Sequence, residues 1–386
     1  MHLVDSNLQR AAPPAGADTG AAVQGLRQFG FSLINAERGS AENGNRVVSP
    51  ASVGAAFAMA RSGARGTTAD QIDDVLGFPP DTGPVYNTLT AQWSSQCGRD
   101  APQIRIAHAV FAQEGLPLKQ NCLDAMATDF GAGVRAVDFA EPAAADLIND
   151  WVRQETRDHI DKLFDILDPA TRLVLANAIY LEAQWVTPFP AASTSAAPFD
   201  RAEGGTVQVD TMLNTAPFDY ADGDGWSAVR LPYKGRDLAM WVLLPDTSSD
   251  PIALLEPAVL SQAARRASTQ MVQLSLPKWD FQSNLPLIEA LKNLGMTAPF
   301  TDAADFSGIT DVELLIDQVQ HRADITVDEK GTEAAAVTGI ALRELSGRPV
   351  SDVRMGVDHP FAFVVLHEPT GAPLFEGVVG DPSATQ

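Results

Sequence analysis

From Ala21 onward apolar residues recur at three- and four-residue spacing, at Val23, Leu26, Phe29, Leu33 and Ile34, and that period predicts an amphipathic helix. The stretch NRVVSPASVGAAFAMARSGARGTTADQIDDVLGF then reads as a short apolar strand, a helix opened by Ser-Pro, a glycine-marked break and a second helix capped by Thr67 or Thr68. IRIAHAVFA (104–112) and VRAVDF (134–139) are strand-like, with helix expected over 117–130 between them. In ADLINDWVRQETRDHIDKLF, Leu147, Ile148, Trp151 and Val152 share one helical face, with Ile160, Leu163 and Phe164 following and charges opposite. RLVLANAIYLEAQW (172–185) is apolar almost throughout, as a central strand buried on both faces must be. WSAVRLPY, LAMWVLLP, MVQLSLPKWDF, FAFVVLHE and PLFEGVV are further strand-like runs. A helix-rich first half and a strand-rich second half indicate an α+β fold on large antiparallel or mixed sheets. No repeat or linker divides the chain, so residues 21–386 are expected as a single domain. Residues 1–20, rich in Pro, Ala and Gly and without periodicity, are expected as a loose tail.

Composition narrows the function. The 386 residues are 45% hydrophobic and 20% charged, enough for a large core. A net charge of −22, with Lys and Arg scattered rather than clustered, repels phosphate backbones and anionic lipid, which excludes nucleic acid and membranes as partners. Cys97 and Cys122 form no CxxC and have no paired histidines nearby, so neither a zinc site nor a redox motif is supported. Two free thiols are the preferred reading, a disulfide the alternative. The opening stretch lacks a basic region followed by an apolar core, so no secretory signal is read and a cytoplasmic location is favoured. No GxSxG, GxxxxGK[ST] or HExxH occurs, and His367-Glu368 runs into Pro-Thr-Gly; neither an enzyme nor a cofactor or metal is expected.

The stretch 327–350, VDEKGTEAAAVTGIALRELSGRPV, combines a small-residue half with a loop-like half. Counted by the strand period of two, Thr332, Ala334, Ala336, Thr338, Ile340 and Leu342 are all small or apolar. The alternate set, Glu333, Ala335, Val337, Gly339, Ala341 and Arg343, carries both charges, so only one register could enter a core.

Seven blocks in order resemble the serpins, the serine protease inhibitors: NRVVSPASVGAAFAMARSGARGTTADQI, INDWVRQETRDHIDKLF, LVLANAIYLEAQW, LPYKGRDLAMWVLLP, LSLPKWDF, HRADITVDEKGTEAAAVTG, and DHPFAFVV with PLFEGVVGDP. The resemblance spans about residues 21–382. Departures are local: Glu182-Ala183 stands where Lys-Gly is usual, and Glu376 and Val378 replace Met and Arg. The resemblance implies the serpin fold, with three β-sheets, eight or nine helices and an exposed reactive-centre loop at about 331–353. A protease that cuts this loop is trapped as an acyl-enzyme while the loop's N-terminal half inserts into the main sheet.

By family match, Gly331, Thr332, Glu333, Ala334, Ala335, Ala336, Val337 and Thr338 form the hinge. Trp185, Lys278 and Glu329 mark the breach where the loop enters, with Lys278 and Glu329 expected to pair. Ser49, Ser52, Asn177 and His321 form the shutter, a polar cluster beneath the middle of the sheet. The cut bond, counted fourteen residues from the hinge glycine, is Leu345–Ser346, with Arg343 and Arg348 as alternatives. Leucine before the cut suits a chymotrypsin-like or subtilisin-like serine protease with an apolar primary pocket. The expectation is therefore a monomeric, irreversible inhibitor of bacterial type. The alternative is a non-inhibitory carrier, chaperone or storage member, which would typically have a bulky or charged hinge.

Overall fold

The computed structural model describes residues 1–39, 43–94, 102–247, 249–332 and 351–384. The chain runs through β1 (His2–Val4), α1 (Gly20–Ala36), β2 (Arg46–Val48), α2 (Pro50–Gly63), α3 (Gly66–Leu76), α4 (Thr82–Ser94), β3 (Gln103–Gln113), α5 (Gln120–Ala125), β4 (Val134–Val137) and α6 (Ala144–Glu155). Its second half is β5 (Leu173–Gln184), β6 (Ser195–Asp200), β7 (Thr206–Gly223), β8 (Trp226–Pro232), β9 (Leu238–Pro245), α7 (Pro257–Arg266), β10 (Ser268–Pro277), β11 (Trp279–Pro286), α8 (Ile288–Asn293), β12 (Gln318–Val327), β13 (Gly331–Thr332), β14 (Val353–Gly356), β15 (Phe361–His367) and β16 (Ala372–Val379).

These strands build two hydrogen-bonded sheets. The main sheet has the order β1-β4-β3-β5-β13-β12-β11. The second runs β14-β10-β7-β8-β9-β15-β16-β2, with β6 also paired to β7. The three sheets expected from the resemblance are thus two among the described residues. The cause is β7, which continues for 18 residues, pairing with β6 at one end, β8 at the other and β10 along its middle, so no break divides the network.

Local chemistry explains the helices that matter most. Ser49 caps α2, its Oγ accepting the Ser52 N–H at 3.1 Å, and Pro50 occupies the first helical position. Every residue from Pro50 to Ala60 is buried, so α2 is a core helix rather than an amphipathic one. Thr67 and Thr68 do not cap α3. That helix starts at Gly66, and the Thr68 hydroxyl instead accepts the Asp305 N–H at 2.8 Å. In α6 the apolar face buries Ile148, Trp151 and Val152 as expected, but the helix ends at Glu155, and Arg157 and Asp158 take left-handed φ of 53° and 65°. Ile160, Leu163 and Phe164 reach the same apolar cluster from irregular chain. Asn149 holds that chain, its Oδ1 accepting the N–H groups of Leu163 and Phe164 at 2.8 and 3.0 Å.

One further difference lies at the N-terminus. The segment expected as a loose tail is docked: β1 pairs antiparallel with β4 at the sheet edge, and Arg10 donates to Asn87 and Thr90 of α4. Three residues are too short a run for a periodic signal. Cys122 is buried, and Cys97 lies outside the described residues.

Glu376 on β16 is buried, its Oε2 without a hydrogen-bond partner among the described residues. It fits because residue 30 of α1 is glycine: a Cβ there would meet Glu376 Oε2 at 2.3 Å. Burial raises its pKa well above the usual 4.5, and the Arg27 charge only partly opposes that. A carboxyl protonated in the fold and ionised in the unfolded chain lowers stability as pH rises above about 4.5, until its folded pKa is passed. Glu376→Met is therefore expected to stabilise the chain by about 1–3 kcal/mol at pH 8, with the gain vanishing toward pH 4.5. Thermal melts of both proteins across that range check it, and a gain independent of pH would contradict the assignment.

Candidate functional site

The site is an opening in the main sheet. β5 and β12 pair directly and in parallel from Val174–Gln318 to Ile179–Ala323. Beyond that point they part around β13, where Gly331 and Thr332 pair antiparallel with Gln184 and Ala183 of β5 and Thr332 faces Val327 of β12. Gly331 is required by contact, since a Cβ there would lie 1.9 Å from the Ala183 carbonyl oxygen. Thr332 is 1% exposed, and its hydroxyl shares a 2.6 Å hydrogen bond with the Tyr233 hydroxyl.

The turn before β13 is pinned to the end of β5. Asp328 Oδ1 accepts the N–H groups of Lys330 and Gly331 at 2.7 and 3.1 Å. The Trp185 indole N–H donates to the Asp328 carbonyl at 3.1 Å, the Trp185 backbone N–H to Lys330 O at 2.8 Å, and Phe189 N–H to Glu329 O at 2.8 Å. Trp185 stacks on Tyr233 with ring centroids 4.3 Å apart. Lys278 pairs with Glu329 at 3.1 Å, and Glu329 also accepts the Thr194 hydroxyl at 2.8 Å. Burial pushes the Glu329 carboxyl up, but the bonds from Thr194, its own backbone N–H and Lys278 hold it below the ordinary glutamate value.

Deeper in the sheet, where β5 and β12 are still paired, His321 stands opposite Asn177. The Ser49 N–H donates to His321 Nε2 at 3.0 Å, which leaves the proton on Nδ1 to donate to Asn177 Oδ1 at 2.5 Å. Burial lowers the His321 pKa to about 3, so the ring is neutral at any ordinary pH. Ser52 contributes its backbone N–H to the Ser49 cap; its hydroxyl, like Asn177 Nδ2, is buried without a partner among the described residues.

Of the sequence-predicted residues, Ser49, Ser52, Asn177 and His321 converge in one place and Trp185, Lys278, Glu329, Gly331 and Thr332 in another. Glu333, Ala334, Ala335, Ala336, Val337, Thr338, Leu345 and Ser346 lie outside the described residues. Sequence reasoning missed Tyr233, Thr194 and Asp328. Only Tyr233 and Asp328 had a signal, inside the LPYKGRD and VDEKG blocks.

The main sheet is thus parted at one end, with Gly331 and Thr332 paired between β5 and β12 where the two strands diverge. A family model described as serpin (serine protease inhibitor) matches residues 24–382. The chain belongs to the serpin family. It is 34% identical over 375 residues to plasminogen activator inhibitor 1 of Sus scrofa, covering 92% of this chain and 91% of that one. It is 36% identical over 366 residues to Iripin-2 of Ixodes ricinus, covering 91% of each. Among solved structures, Serpin48 of the insect Tenebrio molitor superposes with a TM-score of 0.83 at 30% identity, covering 95% of this chain and 100% of that one. Human thyroxine-binding globulin superposes with a TM-score of 0.86 at 25% identity, with the same coverage. Mammal, tick and insect relatives do not single out a bacterial type. The family is described by inhibition of proteases rather than by catalysis.

Proposed function

We propose that this chain is an irreversible suicide-substrate inhibitor of a chymotrypsin-like or subtilisin-like serine protease, which cuts Leu345–Ser346 and is trapped when the loop enters the main sheet. The observation that carries this reading is the register of β13. Continued without a slip, it brings residue 336 level with the Ile179–Ala323 pair, where β5 and β12 would have to separate. Two residues further, Thr338 would stand opposite both Asn177 and His321. The only polar side chain among the positions inward of Thr332 thus meets the polar pair, and its hydroxyl can take over a hydrogen bond that strand separation breaks. Interlocked aliphatic side chains at that level would give up contacts without such an exchange. The resemblance to plasminogen activator inhibitor 1, an inhibitor by name, supports the same reading.

A strand of about a dozen residues, each contributing roughly 0.5–1.5 kcal/mol of main-chain hydrogen bonding, supplies on the order of 10 kcal/mol. That rivals the whole stability of an ordinary domain, enough to drive a large rearrangement.

The second reading is a carrier, which the likeness to thyroxine-binding globulin favours. Incubation with chymotrypsin followed by a denaturing gel separates the two. A band at the summed mass of protease and inhibitor is expected; cleavage at the loop with no such band would sink the inhibitor reading.

A further inference from the structure

The N-terminal segment and the outer edge of the main sheet enclose a cavity of about 540 Å³ that the opening between β5 and β12 does not use. β4 covers β3 only along Val110–Gln113, so β4 leaves the edge of β3 from Gln103 to Ala109 uncovered. Residues of the N-terminal segment, α4 and α6 line the space beside that edge.

The polar groups there are incompletely matched. Arg10 is oriented by neutral acceptors alone: Nε donates to Asn87 Oδ1 at 2.8 Å, and Nη2 donates to the Asn87 carbonyl at 2.8 Å and the Thr90 hydroxyl at 2.6 Å. Arg10 is exposed and stands at the mouth of the cavity; its Nη1 makes no hydrogen bond, and no carboxylate pairs with it, among the described residues. His108 lies close enough that, after burial, the Arg10 charge is the second cause holding its pKa down to about 4. The ring is neutral, and its buried Nδ1 has no hydrogen-bond partner among the described residues. Trp151, 5% exposed, lines the same cavity with its indole N–H also unpartnered. Ile106 and Phe130 supply apolar wall.

Arg135 and the carboxylates Asp5 and Glu155 also line the space, so a ligand head group must be small enough to sit on Arg10 clear of those two acids. A guanidinium with two unpaired N–H groups, beside a neutral imidazole and an apolar wall, suits a compact singly charged anion with an apolar body. A carboxylate offers two oxygens with about four acceptor sites, and its bonds to arginine are charge-assisted. The surrounding field of a chain with net charge −22 disfavours anions in general, so affinity must come from this local arrangement together with an apolar body.

We infer that this cavity binds a small amphipathic carboxylate, with the head group on Arg10 and His108 and the apolar body along Ile106 and Phe130. The site is one strand away from the shutter, since His108 stands opposite Asn177, and it is independent of any protease.

The test uses the full, uncut chain with octanoate and 1-octanol as probes, which share a body and differ in the charged head. Calorimetric titration is expected to show saturable octanoate binding at least tenfold tighter than octanol. The ring nitrogen resonances of His108, assigned by their absence in His108→Gln, are expected to move with octanoate and not with octanol. Arg10→Gln is expected to weaken octanoate at least tenfold; should that variant release the N-terminal segment, the His108 resonances of the unaltered chain decide. Equal affinity for the two probes, no saturable octanoate binding, or His108 resonances unmoved at saturating octanoate would each overturn the proposal.

Discussion

Thr332→Arg is expected to convert the chain from an inhibitor that traps its protease into a substrate that is cut and released. In the proposed mechanism the acyl-enzyme has two fates, deacylation by water or distortion by the inserting loop, and the ratio of their rates sets the fraction trapped. Thr332 is the first inward side chain, 1% exposed, bonded at 2.6 Å to Tyr233 beneath the Trp185 ring stack. An arginine there would have to shed its water in a pocket that offers a neutral phenol and a buried ring pair, at a cost of several kcal/mol. The alternative, leaving the first residue outside, removes the pairing from which the rest of the strand propagates. A barrier raised by about 3 kcal/mol slows insertion more than a hundredfold, while deacylation, which happens on the protease, is unchanged. The measurement is the number of inhibitor molecules consumed per protease inactivated, expected to rise by about two orders of magnitude. An unchanged ratio would contradict insertion as the trapping step. Loss of the covalent band without loop cleavage would instead report misfolding.

The contrast between what was and was not legible in the sequence follows the range of each signal. Asn177 stands out because a polar residue interrupts the apolar run LVLANAIYL, and Ser49 because Ser-Pro opens a helix; both signals are local. The bond that joins them through His321 is not local, since Ser49 and His321 are 272 positions apart. Family likeness brought them together where pattern alone would have left a core histidine. Thr194 could not be found: a threonine before β6 carries no pattern that points to Glu329, 135 positions away. The early end of α6 was invisible for a different reason. Left-handed backbone is favoured by glycine, asparagine and aspartate, whereas here it begins on Arg157, one residue before Asp158, and tertiary packing overrides the arginine's propensity. The two-sheet network depends on whether an 18-residue strand stays paired along its length, which strand-like runs read singly cannot decide.

Glu329→Lys is expected to shift the uncut chain toward self-insertion or polymers at temperatures where the unaltered chain stays monomeric. Glu329 holds the hinge from two sides, through Lys278 at 3.1 Å and the Thr194 hydroxyl at 2.8 Å, and both partners donate to the carboxylate and so favour its charged form over the opposing effect of burial. Fully exposed pairs contribute at most about 1 kcal/mol, but this carboxylate side chain is only 16% exposed. Lysine at 329 removes both bonds and sets two ammonium groups against each other, a local penalty of about 2–3 kcal/mol. The penalty falls on the state in which Asp328 to Thr332 is anchored beside β5, so the hinge is released where β5 and β12 already part. An opened sheet then takes the nearest strand available, its own loop or that of another molecule. The two outcomes differ in concentration dependence: self-insertion yields a heat-resistant monomer at any concentration, whereas polymers grow with it. Native gels after mild heating at two protein concentrations read both. A variant that remains an ordinary monomer, with an unshifted melting curve, would show that the Lys278–Glu329 pair does not restrain the hinge. Restoring the pair in reverse, with Lys278→Glu added to Glu329→Lys, is expected to recover part of the loss, since the charges attract again while the Thr194 bond stays broken.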